Sequence, residues 1–225
     1  WLAPVNPVRE RVELDLDMDP RTVSLESKLD AFRGMIDSGR AVSGDIDNVT
    51  GSYFEEFRSI RLMTSEGTDV AMEKMDVGGG IVTQAHRGGI TQSQTVTAGS
   101  STDYGVILAM APKVTPAATR TLDLLGAPRV KAGRYPVVVD PVLGGTFAHE
   151  AFGHMSEADD YHQNPRMREI FTLGRRFGSA ELGIYDSGID RGTRGYIRYD
   201  DEGVPGEKTW LIRDGILVGR LHSRE

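Results

Sequence analysis

Within the run GGTFAHEAFGHMSEADD, residues 144–160, stand His149, Glu150 and His154. Neutral imidazoles are ligands for zinc, and a carboxylate beside them can activate a water molecule for hydrolysis. The usual HExxH signature spaces its histidines four apart, about 40° around an α-helix, so that both converge on one ion. Here the spacing is five. At 3.6 residues per turn that offset turns His154 about 140° away from His149, too far for a shared ion on a straight helix. Two backbone devices restore convergence. A π-turn, bonded i to i+5, aligns residues five apart. Alternatively the helix ends at Gly153, and a left-handed glycine swings His154 back. Either device keeps His149 and Glu150 on regular helix and predicts a departure from it between Ala151 and Met155.

Other residues invite the same question and answer it less well. Glu157, Asp159 and Asp160 are able to supply a carboxylate ligand, or an acceptor for the second ring N–H of a ligating histidine. For Asp159 and Asp160 the plainer reading is a solvated acidic helix end. His86 falls in a β-rich stretch, His162 in a polar loop and His222 near the end of the sequence, so each reads as a surface or packing histidine. The Gly144-Gly145 pair lacks both the P-loop lysine and the spacing of a dinucleotide loop, which argues against phosphate binding.

The elements that must hold the motif divide the chain at about residue 127. In the first region, 1–127, Leu25, Leu29, Phe32 and Ile36 recur at helical spacing, with Ser24 as N-cap and Gly39 just past the end. Residues 42–96 alternate apolar and polar and break at TSEGT, VGGGI and RGG, the pattern of an antiparallel meander. A Thr/Ser/Gly loop at 97–103 leads to a second helix in PAATRTLDLLGA, where Ala117, Leu122 and Leu125 are apolar and Gly126 and Pro128 stop it. The linker APRVKAG opens the second region, 128–225. There RYPVVVDP reads as a buried strand running into a tight turn at Gly144-Gly145, with Thr146 capping the helix that carries the motif. ELGIYD reads as a short strand. In TWLIRDGILVGRL, Asp214-Gly215 sits between two apolar runs as the favoured type I′ hairpin turn. The class predicted is α+β: a meander flanked by helices, then a strand-helix unit bearing HExxxH, then a hairpin.

At 225 residues and 39% apolar content the chain is long enough for one large domain or two small ones. The net charge of −7 gives no electrostatic footprint for phosphate backbones, so direct nucleic-acid binding is not expected. No apolar run approaches a membrane span and no signal peptide is recognisable, and the absence of cysteine suits a reducing compartment. A soluble cytoplasmic protein is expected. The chain opens on Trp1 and stops on RLHSRE, which reads as a piece of something longer.

Taken in order, PVVVDP, GGTFAHEAFGH, SEADD and DDEGVPGEKTWLIRDGILVGRLHSRE, with the helix and meander upstream, resemble the TldD/PmbA family, on the TldD side. The likeness covers most of the chain and is strongest from Pro136 to Glu225. It implies a metallopeptidase acting on extended or unfolded peptides inside an enclosed dimer cavity, in a family tied to peptide-antibiotic maturation, antitoxin degradation and modulation of DNA gyrase. It implies zinc as cofactor, His149 and His154 as ligands and Glu150 as general base or acid. The implied partner is a PmbA/TldE-like paralogue that lacks the motif, or a second copy of the chain. The family's third ligand resembles a cysteine far downstream, and this chain has none. That departure points to an internal fragment or to a variant with a carboxylate or histidine in its place. A reading of another class stays open beside it: a non-catalytic peptide-binding or assembly module whose histidines are structural.

Overall fold

In the computed structural model, which describes residues 2–224, the first region is a sheet backed on one face by helices. Helix α1 spans Leu25–Arg40, and the Ser24 hydroxyl accepts the Ser27 N–H at 3.1 Å as its cap. Its buried stripe is Lys28, Phe32, Met35 and Gly39, whereas Leu25 and Leu29 stay exposed. Gly39 therefore lies inside the helix instead of ending it. A Cβ there would stand 3.2–3.3 Å from Val49 and Val114, so the missing side chain lets the helix close on the sheet and on its neighbouring helix.

Strands β2 (Ile46–Met63), β3 (Asp69–Arg87) and β4 (Ile90–Ser100) form the expected antiparallel meander. Its turns fall at TSEG and Gly88-Gly89, where glycines take positive φ. VGGGI does not break it. β3 runs straight through Gly78, Gly79 and Gly80, because Cβ atoms at the first two would lie 2.5 Å from Phe54 and 3.1 Å from Phe32. β4 likewise takes in residues 97–100, expected as loop, by pairing with Val77–Gly80. The acidic opening adds a strand that alternation did not reveal: β1 (Arg9–Val12) pairs in parallel with Asp69–Met72, beside β3 on the edge that β4 occupies further along.

Strand parity distributes β3 between two cores. Met75, Val77, Ile81 and Ala85 face α1 and α3 (Ala111–Leu125), packing with Phe32, Met35, Val114 and Ala118. Val70 and Met72 face the other way and pack with Val12, Ile60 and Tyr199 of the second region. Helix α3 begins five residues before Pro116, with Pro112 in its first turn, where no intrahelical N–H bond is lost. A single turn, α2 (Gly105–Leu108), precedes it.

The second region opens on an exposed segment. RYPVVVDP is not a strand: Val137 is 76% exposed and Val138 fully so, and among the described residues no strand lies beside it to complete a ladder. Helix α4 (Pro141–Ala148) follows, then α5 (Ala158–Gln163) and α6 (Pro165–Ile170). Strands β5 (Ile184–Ser187), β6 (Lys208–Arg213) and β7 (Ile216–Leu217) make an antiparallel sheet. Asp214 and Gly215 both take positive φ, 52° and 75°, as a type I′ turn requires. Phe152, Met167, Phe171, Ile212 and Leu217 form the core under the motif.

Ion pairs tie the regions together. Arg191 bonds Asp15 and Asp17, Arg194 bonds Asp76 at 2.7 Å, and the nearly buried Arg224 bonds Glu66 at 2.7 and 2.9 Å. The Thr102 hydroxyl, and then Arg191, hold the Asp17 carboxyl below its ordinary range. Among the described residues no helix is long and apolar enough to cross a membrane.

Candidate metal centre

The motif helix starts earlier than expected. Asp140 accepts the Leu143 N–H at 2.8 Å and Pro141 occupies the first helical position, a stronger start than Thr146. Gly144 and Gly145 lie within α4, and the Thr146 hydroxyl donates back to the Val142 carbonyl at 3.0 Å. The signal was present in sequence as Asp-Pro ahead of the apolar run.

At His149 the backbone changes. Residues His149–Gly153 form a π-turn in which the His154 N–H donates to the His149 carbonyl, an i to i+5 bond. The first of the two devices is therefore the one in place. Gly153 is right-handed, with φ −58° and ψ −68°, so the left-handed alternative is not used. The departure from α-helix begins at His149, two residues before the expected Ala151, so His149 and Glu150 belong to the wide turn and not to regular helix. A wide turn can form here because its inner side is anchored. Phe152 is buried against Phe171 and Phe177, with ring centroids 6.3 and 5.8 Å away.

With Phe152 turned inward, the polar side chains of the turn are exposed together. The His149 and His154 rings lie 4.5 Å apart at 68°, and one ligand atom each from His149, Glu150 and His154 falls within 4.8 Å of the others. Donors about 2.0–2.1 Å from a shared zinc ion stand about 3.4 Å apart at tetrahedral angles, which small rotations of exposed side chains reach. Two nitrogens and an oxygen are also the donor types that zinc accepts. The residues fit the group.

The remaining candidates lie elsewhere. Glu157 follows a 3-10 turn, His154–Ser156, and its carboxylate meets His154 Nδ1 at 3.3 Å from outside the three-residue cluster. Asp159 and Asp160 are exposed in the first turn of α5, where negative charge suits the helix dipole. His162 is exposed at the end of that helix. His86 Nδ1 pairs with the Thr91 hydroxyl at 3.0 Å across the β3–β4 turn, and His222 Nδ1 bonds the Ser223 carbonyl at 2.9 Å. Alternation and motif spacing missed Phe152 and Asp140, which hold the turn and start its helix.

Comparison with known proteins identifies the family. Residues 8–125 match the PmbA/TldA metallopeptidase central domain and residues 132–225 its C-terminal domain. A metalloprotease of Synechocystis sp. is 42% identical over all 225 residues, which make up 49% of its length. A zinc metalloprotease TldD homolog of Saccharolobus solfataricus is 36% identical over 107 residues, 47% of this chain and 23% of that protein. The chain thus spans about half the length of the Synechocystis relative. Among solved structures, a Thermotoga maritima protein superimposes on 99% of the chain with a TM-score of 0.78 at 17% identity, covering 50% of that protein. TldE from Thermococcus kodakarensis does so with a TM-score of 0.63 at 16% identity, over 99% of this chain and 50% of that one, and at such identities the likeness is one of fold. On these matches the chain belongs to the PmbA/TldD family of metallopeptidases.

Proposed function

We propose that the chain carries the catalytic motif of a zinc-dependent peptidase, which cleaves extended or unfolded peptides with activated water. One observation carries the reading: the π-turn gathers His149, Glu150 and His154 on one exposed face although their spacing is wrong for an α-helix. His149 and His154 are the metal ligands, and Glu150 is the general base. His149 and His154 would hold a zinc ion, which when bound would supply Lewis acidity and lower the pKa of its bound water toward about 7. Glu150 takes a proton from the attacking water and passes it to the leaving amine. Main-chain pairing of an extended substrate along a sheet edge accounts for tolerance of many side chains. The partner is a TldE-like paralogue or a second copy, in keeping with the fold shared with TldE. A chain of net charge −7 without cysteine suits a cytoplasmic enzyme that does not bind nucleic acid directly.

The test is a zinc competition titration of the chain beside His149→Ala, His154→Ala and Glu150→Gln. One ion per chain, lost in both histidine variants and kept in Glu150→Gln, is expected. Metal binding that survives both histidine substitutions overturns the assignment.

A further inference from the structure

The geometry points to Glu157 as the residue that positions His154, by accepting a hydrogen bond from Nδ1–H and so leaving the Nε2 lone pair free for a metal. The inference rests on reading His154 as a ligand. An ionised carboxylate only accepts hydrogen bonds, so in the 3.3 Å contact between Glu157 Oε1 and His154 Nδ1 the ring nitrogen is the donor. A neutral imidazole has one N–H, and placing it on Nδ1 makes Nε2 the acceptor.

His154 needs such a partner. Its side chain is 54% exposed, so packing does little to fix the ring. Its backbone stands at the junction of the π-turn and the following 3-10 turn. Glu157, in contrast, has a clamped backbone. The Leu221 N–H donates to the Ser156 carbonyl at 2.8 Å, and the Ala158 N–H donates to the Leu221 carbonyl at 2.8 Å. The Glu157 N–H also closes the short turn on the His154 carbonyl at 3.3 Å. The carboxylate therefore approaches His154 from a main chain held on both sides by the segment that follows the hairpin. It does not join His149 and His154 as a ligand, since it lies outside the cluster they form with Glu150 and already occupies one of the two ring nitrogens. A carboxylate on the far nitrogen also raises the basicity of a ligating imidazole and fixes its tautomer, and loss of such a partner typically weakens metal affinity 10- to 100-fold.

The experiment is long-range proton–nitrogen NMR of the histidine rings at about pH 8, where imidazoles are neutral. It uses the metal-free chain, Glu157→Ala and Glu157→Gln, followed by zinc competition on each. His154 is expected as the Nδ1–H tautomer in the wild type and in Glu157→Gln, whose amide oxygen still accepts, and as the Nε2–H tautomer in Glu157→Ala. Zinc affinity is expected to fall by 10- to 100-fold in Glu157→Ala and by less in Glu157→Gln. An unchanged His154 tautomer in Glu157→Ala overturns the inference, and so does a tautomer change with undiminished affinity where the histidines bind zinc. A wild type whose metal binding is independent of His149 instead overturns the peptidase reading, while the tautomer still decides what Glu157 does to His154.

Discussion

Gly153→Ala separates the two ways of bringing His154 round to His149. A left-handed glycine would make alanine costly there, by roughly 1–2 kcal/mol, because Cβ crowds the following carbonyl. In the π-turn Gly153 has φ −58°, a conformation any residue adopts, and a Cβ would meet His149 Nδ1 at 3.7 Å and the Ala148 carbonyl at 3.9 Å. Both are ordinary contacts. Alanine then removes freedom from the unfolded chain and stabilises by about 0.4–1 kcal/mol. The two geometries thus differ in sign and by about 2 kcal/mol in size. For a chain of this length the expected gain raises Tm by about 1–4 °C. Urea unfolding followed through Trp210 measures it in the right place, since that indole lies on β6, the strand whose Ile212 packs in the core beneath the motif. Zinc affinity should be unchanged, because no ligand atom is displaced. A Gly153→Ala chain destabilised by 1 kcal/mol or more would falsify the π-turn.

Phe152→Ala should cost about 3–5 kcal/mol, because it empties the aromatic contact with Phe171 and Phe177, and it should weaken zinc binding as the turn loses its anchor; a loss under 1 kcal/mol by the same Trp210 unfolding contradicts the anchoring role. Asp17, held below its ordinary 3.8 by Thr102 and then Arg191, contributes stability that is full above that value and lost as pH falls through the lower folded pKa. Acid unfolding below about pH 4 should therefore be shallower in Asp17→Asn, and identical curves for the two proteins sink the point. The chain by itself should bind zinc orders of magnitude more weakly than a complete site and show no peptidase activity, because two histidines fill half of a tetrahedral shell. Calorimetry and mass spectrometry of an unstructured peptide check both, and nanomolar binding with cleavage shows that a third ligand lies within these residues.

The parts of the fold that were legible are those where local chemistry and tertiary context agree. Asp214-Gly215 demands positive φ at both positions, and nothing elsewhere competes with that demand. Ser24 caps α1 whatever the helix packs against. Glycines were misread where they serve close approach: Gly78, Gly79 and Gly39 make room for Phe54, Phe32, Val49 and Val114, which are far away in sequence. β1 escaped notice because its partner is a strand nearly sixty residues on, and RERV has too little alternation to announce a parallel edge. RYPVVVDP failed in the opposite sense. Periodicity reports how apolar a segment is, but a strand also needs a neighbour for its backbone groups, and Val138 has none among the described residues.

The site shows the same division between what spacing states and what packing decides. An offset of five excludes convergence on an α-helix, and that much follows from residues per turn alone. It does not choose between a wide turn and a left-handed break, because both bring residue i+5 back toward residue i. The choice is made by Phe152. In the wide turn the side chain between the two histidines points inward, and here it has Phe171 and Phe177 to meet. A left-handed Gly153 would end the helix without needing that contact. The aromatic pair lies about twenty residues downstream, in a segment whose own sequence gives no hint of a metal, so the backbone under His149 and His154 is settled by residues outside the His149–Glu150–His154 cluster. The same holds for Glu157, whose carboxylate reaches His154 because Leu221 holds the main chain on either side of it. Short-range spacing names the candidate residues, and long-range packing gives them their common direction.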